Sequence, residues 1–137
     1  MKMKKSVPAL PVHDIAKASN FYEIKFGFAV PHQDKDFAKL IRDDVEIHLW
    51  ASNDESWKTR NTTASACPII SGAESFLAGT ASCRIEVQSI DELFEECKKQ
   101  DVIYSKDTVV ETQPWGTREF PALDLYGNLL TFYESIK

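Results

Sequence analysis

Apolar residues recur along this chain at two spacings, and the switches between spacings mark its elements. Residues 6–12 are apolar and extended. Pro8 and Pro11 cannot donate to a ladder, so this strand belongs at a sheet edge or in an arm exchanged with another copy. Asp14 is placed to cap a helix reaching about Phe26, with Ile15, Ala18, Tyr22 and Phe26 on one face and Gly27 as its stop. Residues 28–32 form a second strand, and 37–42 and 45–50 a hairpin about Asp43-Asp44. Period two puts Val45, Ile47 and Leu49 on one face of the latter strand and Glu46, His48 and Trp50 on the other. Residues 52–81 are long and irregular and contain Trp57 and Phe76. In the next strand, 82–88, Cys83, Ile85 and Val87 share one face, and Ser82, Arg84 and Glu86 the other. Ser89-Ile-Asp-Glu92 reads as a capping box opening a helix to about Gln100, with Ile90, Leu93, Phe94 and Cys97 inward. Short strand candidates follow at 102–104 and 109–111. A hairpin closes the chain, pairing 118–125 with 129–133 around a turn in which Gly127 supplies the positive φ.

The order is strand, helix, then about three strands, repeated once. It predicts an α+β chain of two βαβββ modules, about 1–51 and 82–137, with 52–81 as connector, in a single domain of 137 residues. A 43% hydrophobic share suffices for a core. The formal charge of -5, from 16 basic and 21 acidic residues without a basic run, argues against nucleic acid and favours a cationic ligand. Cys67, Cys83 and Cys97 form no Cys-x-x-Cys pair, which fits free thiols in a reducing cytoplasm. Met1-Lys-Met-Lys-Lys5 is followed by an apolar run too short to span or export, so no membrane partner is expected. Phosphate loops, nucleophile elbows and His-Glu-x-x-His are missing from the sequence. Cys83 and His48 would make a nucleophile pair on paper, but strand parity turns Cys83 toward the helix.

Several stretches together resemble the glyoxalase/bleomycin-resistance/dioxygenase family: VPALPVHDIAKASNFYEIKFGF, DFAKLIRDDVEIHLW, ASCRIEVQSIDELFEEC and QPWGTREFPALDLYGN. The last two resemble its bleomycin-resistance branch, and QPWGTREF is the most specific of the set. The resemblance implies two curled mixed sheets around a shared cavity, in a homodimer with an exchanged N-terminal strand. It also implies where the family's enzymes would hold a divalent ion: at Val7, His48, Ser82 and Thr131. Only His48 is an effective ligand there, so no metal site, no cofactor and no catalytic residue is expected. The alternative is a metal-dependent enzyme of this fold: an isomerase, dioxygenase or thiol transferase.

The branch resemblance implies stoichiometric sequestration of bleomycin-type glycopeptides, alone or as a copper or iron complex, in grooves lined by two chains. Phe37 and Trp115 match positions that stack on the drug's flat tail. Asp34 and Asp36 are candidates for an anionic wall, and His32 stands where a relative has an aromatic ring. His48 and Trp50, projecting inward with Glu46, and Gly116 and Arg118 beside the tryptophan complete the expected site. Each has a plainer reading. Phe37 would pack a strand, His48 and Trp50 would fill the cavity floor, Trp115 would lie on a neighbouring strand as a lid, Asp34 and Asp36 would form a solvated turn, and Arg118 would pair with Glu119 or Glu86.

Overall fold

The structure, a computed structural model, describes residues 1–52 and 71–136. Trp57, Cys67 and most of the expected connector lie outside the described residues. The elements run β1 (Ala9–Val12), α1 (Ile15–Phe26), β2 (Ala29–Gln33), β3 (Phe37–Arg42), β4 (Val45–Ala51), β5 (Ser82–Glu86), α2 (Ile90–Lys99), β6 (Glu111–Gln113), β7 (Thr117–Leu123) and β8 (Leu129–Ser135). They form two four-stranded mixed sheets of matching order, β1-β4-β3-β2 and β5-β8-β7-β6. In each, the first strand runs parallel to the last and the other neighbours are antiparallel.

The first module forms much as its pattern predicts. Asp14 accepts the Lys17 amide at 2.9 Å, and Gly27 closes α1 in the left-handed region at φ 71°. β1 lies at the edge, as its prolines require, and pairs with β4 of its own chain. Ile47 and Leu49 are fully buried while Glu46, His48 and Trp50 stay on the opposite face.

Three expectations fail in the second module. Ser89 does not cap α2: its backbone is left-handed at φ 58° and its hydroxyl makes no capping bond. Instead the Ser89 and Ile90 amides donate to the Glu134 carboxylate, at 2.9 and 3.2 Å. Parallel pairing of β5 with β8 brings this acid beneath the helix start. The strand expected at 102–104 is one bridge, Ile103 to Ala122, and that at 109–111 shifts to Glu111–Gln113. The Gln113–Gly116 turn, closed by the Gly116 amide on the Gln113 carbonyl, fixes where pairing with β7 begins.

The helix-bearing faces of the two sheets share one core. Leu10, Leu40, Ile47 and Leu49 from the first sheet and Ile85, Phe120, Leu130 and Phe132 from the second meet the buried faces of α1 and α2. Phe26 of α1 touches the ring of Phe132 in β8, and the Tyr22 hydroxyl donates to Asp124 across the modules at 2.8 Å. Asn128 is fully buried. It donates to the Pro11 carbonyl and to Asp124, at 2.8 and 2.9 Å, and accepts the Gly79 and Ala81 amides. The other face of each sheet, opposite the core, stays open.

Candidate functional site

On the open face of the first sheet, ladder register and strand parity assemble an aromatic cluster. Phe37 pairs with Trp50 across β3–β4, and Lys39 sits opposite both His32 and His48 on its two neighbours. The Phe37 ring lies 4.8 Å from Trp50, 5.0 Å from His48 edge-on, and 5.7 Å from His32. These are stacking and T-shaped distances. Cross-strand pairing alone brings all four rings together, because each occupies the same side of the pleat.

The acids around this cluster have assigned work. Asp34 folds the β2–β3 connection: one carboxylate oxygen accepts the Asp36 and Phe37 amides, at 2.8 and 2.9 Å, and the other meets His32 Nε2 at 3.1 Å. Its pKa is lowered, chiefly by the Asp36 amide and then by His32. The plainer reading of Asp34 as a turn former is thus present in full, although its charge remains at the rim. The Asp36 carbonyl accepts the Ala51 amide, leaving its exposed side chain clear of the ladder. Glu46 binds Lys5 Nζ at 2.9 Å and His48 Nε2 at 2.7 Å, with Lys39 at 3.9 Å. Lys5 first, then His48, hold its pKa down to about 2.

On the open face of the second sheet, Trp115 sits in the turn between β6 and β7 with 63% of its surface exposed. Gly116 takes φ 95°, a conformation that side-chain-bearing residues avoid, and its carbonyl accepts the Ile136 amide. On β7, Glu119 is clamped by Arg84, at 2.9 and 3.2 Å, and by the Thr117 hydroxyl at 2.6 Å. Arg84 also lies 4.6 Å above the Tyr133 ring. Arg118 goes elsewhere. It shares the core-side parity of Phe120 and makes a two-pronged ion pair with Asp91 at the start of α2, at 2.7 and 2.9 Å. Its partner is neither of the acids expected from sequence, and its guanidinium lies on the helix side rather than the open face.

The expected residues therefore fall into two groups. His32, Asp34, Phe37, His48 and Trp50 converge on one sheet, with Asp36 in the adjoining turn, and Trp115 and Gly116 belong to the other. Arg84, Glu119 and Tyr133 escape the sequence reading. Alternation orients each of them, but their meeting depends on the β5-β8-β7 order, a tertiary fact.

The four places implied for a divalent ion do not fit one. Val7 has no donor, and His48 Nε2 is engaged by Glu46. Ser82 and Thr131 offer only hydroxyls, and Thr131 pairs with the cationic residue Arg84 in the ladder. No group of three or more His, Cys, Asp or Glu among the described residues has metal-binding geometry. The thiols of Cys83 and Cys97 are poor nucleophiles. Burial pushes Cys83 up to about 11 and Cys97 up to about 12, and Cys83 stands on the core side of β5. No helix of the described residues is long and apolar enough to cross a membrane.

Known proteins are similar over nearly the whole chain. A bleomycin resistance protein of Geobacillus stearothermophilus is 44% identical over 135 residues, 98% of this chain and 99% of that protein, as is one of Staphylococcus aureus. The bleomycin-binding protein of the bleomycin producer Streptomyces verticillus, solved with copper(II)-bleomycin, is 27% identical with a TM-score of 0.69, covering 96% of each chain. The bleomycin resistance determinant encoded on transposon Tn5 shares the fold, at 21% identity and a TM-score of 0.70, over 97% of this chain and 98% of its own. Residues 6–132 match the model of the Glyoxalase/Bleomycin resistance protein/Dioxygenase superfamily, and the chain belongs to that superfamily.

Proposed function

We propose that this protein confers resistance by binding bleomycin-type glycopeptides one to one in each groove and withholding them from DNA, without altering them. The observation that carries the reading is the ring cluster about Phe37 on an open sheet face, matched by exposed Trp115 on the other sheet. A flat heteroaromatic tail gains burial and offset stacking from such surfaces. Its cationic end gains from the acids at the rim, Asp34 and Asp36. Two copies of the chain close each groove, one giving the Phe37 face and the other Trp115. The chain acts in the cytoplasm, between the drug and its target. It is a binder rather than an enzyme, in keeping with its bleomycin resistance and bleomycin-binding relatives and with the poor fit of Val7, His48, Ser82 and Thr131 to a divalent ion. The drug binds with or without the copper or iron that it carries.

Sequestration requires tight binding, and submicromolar affinity corresponds to roughly −8 kcal/mol or better. The test is titration of intrinsic tryptophan fluorescence with metal-free bleomycin. The expected result is saturation at one drug per chain in the submicromolar range. A flat response, or stoichiometric zinc, nickel, manganese or iron in protein purified without chelator and lost in His48→Ala, would overturn the reading.

A further inference from the structure

One ring of the cluster about Phe37 has its proton assigned by a neighbour. His48 Nε2 lies 2.7 Å from Glu46 Oε2. A carboxylate ionised at neutral pH only accepts, so the proton sits on Nε2. Glu46 and His48 are two residues apart in β4 and share its open-face side. Glu46 is itself held. Its other oxygen accepts Lys5 Nζ at 2.9 Å, from the segment before β1, and Lys39 Nζ stands 3.9 Å from the oxygen that His48 uses. A carboxylate occupied on both oxygens is poorly suited to taking a ligand's cation. It is well suited to serving as a fixed acceptor. The imidazole is also seated by Phe37, T-shaped at 5.0 Å with 80° between the ring planes. A neutral imidazole with its proton on Nε2 carries a lone pair on Nδ1. Among the described residues Nδ1 has no hydrogen-bond partner, whereas Ser19 Oγ is the one buried side-chain polar atom without one. Nδ1 is therefore open to solvent, on a side chain 29% exposed at the free face of the sheet.

We propose that Glu46 is the positioning residue for His48: it fixes the imidazole in its Nε2–H form against Phe37, and so leaves Nδ1 as a hydrogen-bond acceptor in the groove for an N–H donor of the bound glycopeptide. Without such a partner the proton divides between the two nitrogens, and the ring presents a donor part of the time. Fixing it beforehand removes that loss when the ligand arrives. The inference deepens the sequestration reading and rests on it for the ligand, but the place of the proton is testable without drug.

The experiment reads the His48 ring nitrogens by NMR, through their couplings to the carbon-bound ring protons, at about pH 8.5, where an ordinary imidazole is neutral. The signals are assigned by their loss in His48→Phe. In the drug-free wild type, Nδ1 should resonate in the unprotonated range and Nε2 in the protonated range. In Glu46→Met the two shifts should draw together. Metal-free bleomycin should move the wild-type Nδ1 signal upfield as that atom accepts the donor. Bleomycin affinity is measured for the wild type, Glu46→Met, His48→Phe and their double variant. Each single variant should bind about fivefold more weakly. In the His48→Phe background, which keeps a ring beside Phe37, the Glu46 substitution should change affinity by less than about twofold. Four results each overturn the proposal: a wild-type proton on Nδ1, nitrogen shifts unchanged in Glu46→Met, an Nδ1 signal unmoved by bound drug, or an equal loss of affinity in both backgrounds. Should the methionine variant not fold, Glu46→Asp keeps the charge and draws the carboxylate back by one carbon. The shifts should approach each other there too, and their failure to do so is equally fatal. A wild type that binds no bleomycin would end the sequestration reading, and the drug-free spectra would still decide whether Glu46 fixes the ring.

Discussion

Phe37 shows how one residue gathers a surface. It touches His32, His48 and Trp50, and its amide is fixed by Asp34, so the ring is oriented before any ligand arrives. Trp115 stands out by contrast, exposed on a turn anchored through its backbone. Trp115→Ala should weaken bleomycin binding at least tenfold, about 1.4 kcal/mol, with an unchanged far-ultraviolet spectrum, measured by calorimetry. Glu46 carries a different consequence. Lys5 and His48 hold its folded pKa to about 2, below the ordinary 4.5. Its stabilising contribution is therefore present above about pH 4.5 and is lost as pH falls toward 2. Urea unfolding at pH 6 and at pH 3 checks this, and Glu46→Gln should lose less stability between the two than the wild type does. Sequence spacing alone named Glu46, His48 and Trp50 as sharing a face, because alternation is local, whereas Phe37 came from the family resemblance and its place beside them depends on the β3–β4 register. The Asp91 partner of Arg118 was not legible, because it depends on α2 lying across β7.

Elements followed their patterns wherever the signal was carried by neighbours in sequence. The start and stop of α1 rest on Asp14 and Gly27, each acting within four or five residues, and both were legible. The start of α2 was misread for an instructive reason. Ser-Ile-Asp-Glu has the right residues, but Glu134, distant in sequence, supplies the acceptor that the serine was expected to give. The two readings differ in outcome. Glu134→Ala should destabilise the fold by about 1 kcal/mol, whereas Ser89→Ala should change it by only a few tenths, both from urea midpoints. A functioning capping box would reverse that order. The late start of β6 has the same origin: the apolar pair Val109-Val110 looked like strand, while the turn before Gly116 decided the register.

At the scale of the molecule, Asn128 joins what the two sheets would otherwise leave separate. Its amide reaches β1, Asp124 and the chain entering β5, with every polar atom buried and engaged. Asn128→Ala would strand four partners without water, and a loss of about 3 kcal/mol is expected from thermal or urea unfolding. This joint holds the two modules together on their shared core. On the proposed two-chain groove, no chain owns a complete site: each lends its Phe37 wall to one and its Trp115 wall to the other. Two damaged alleles could then rescue each other. Hybrid pairs of a Phe37→Ala chain with a Trp115→Ala chain would hold one wholly intact groove and one lacking both rings, and a cell expressing both genes would regain a resistance that neither confers by itself.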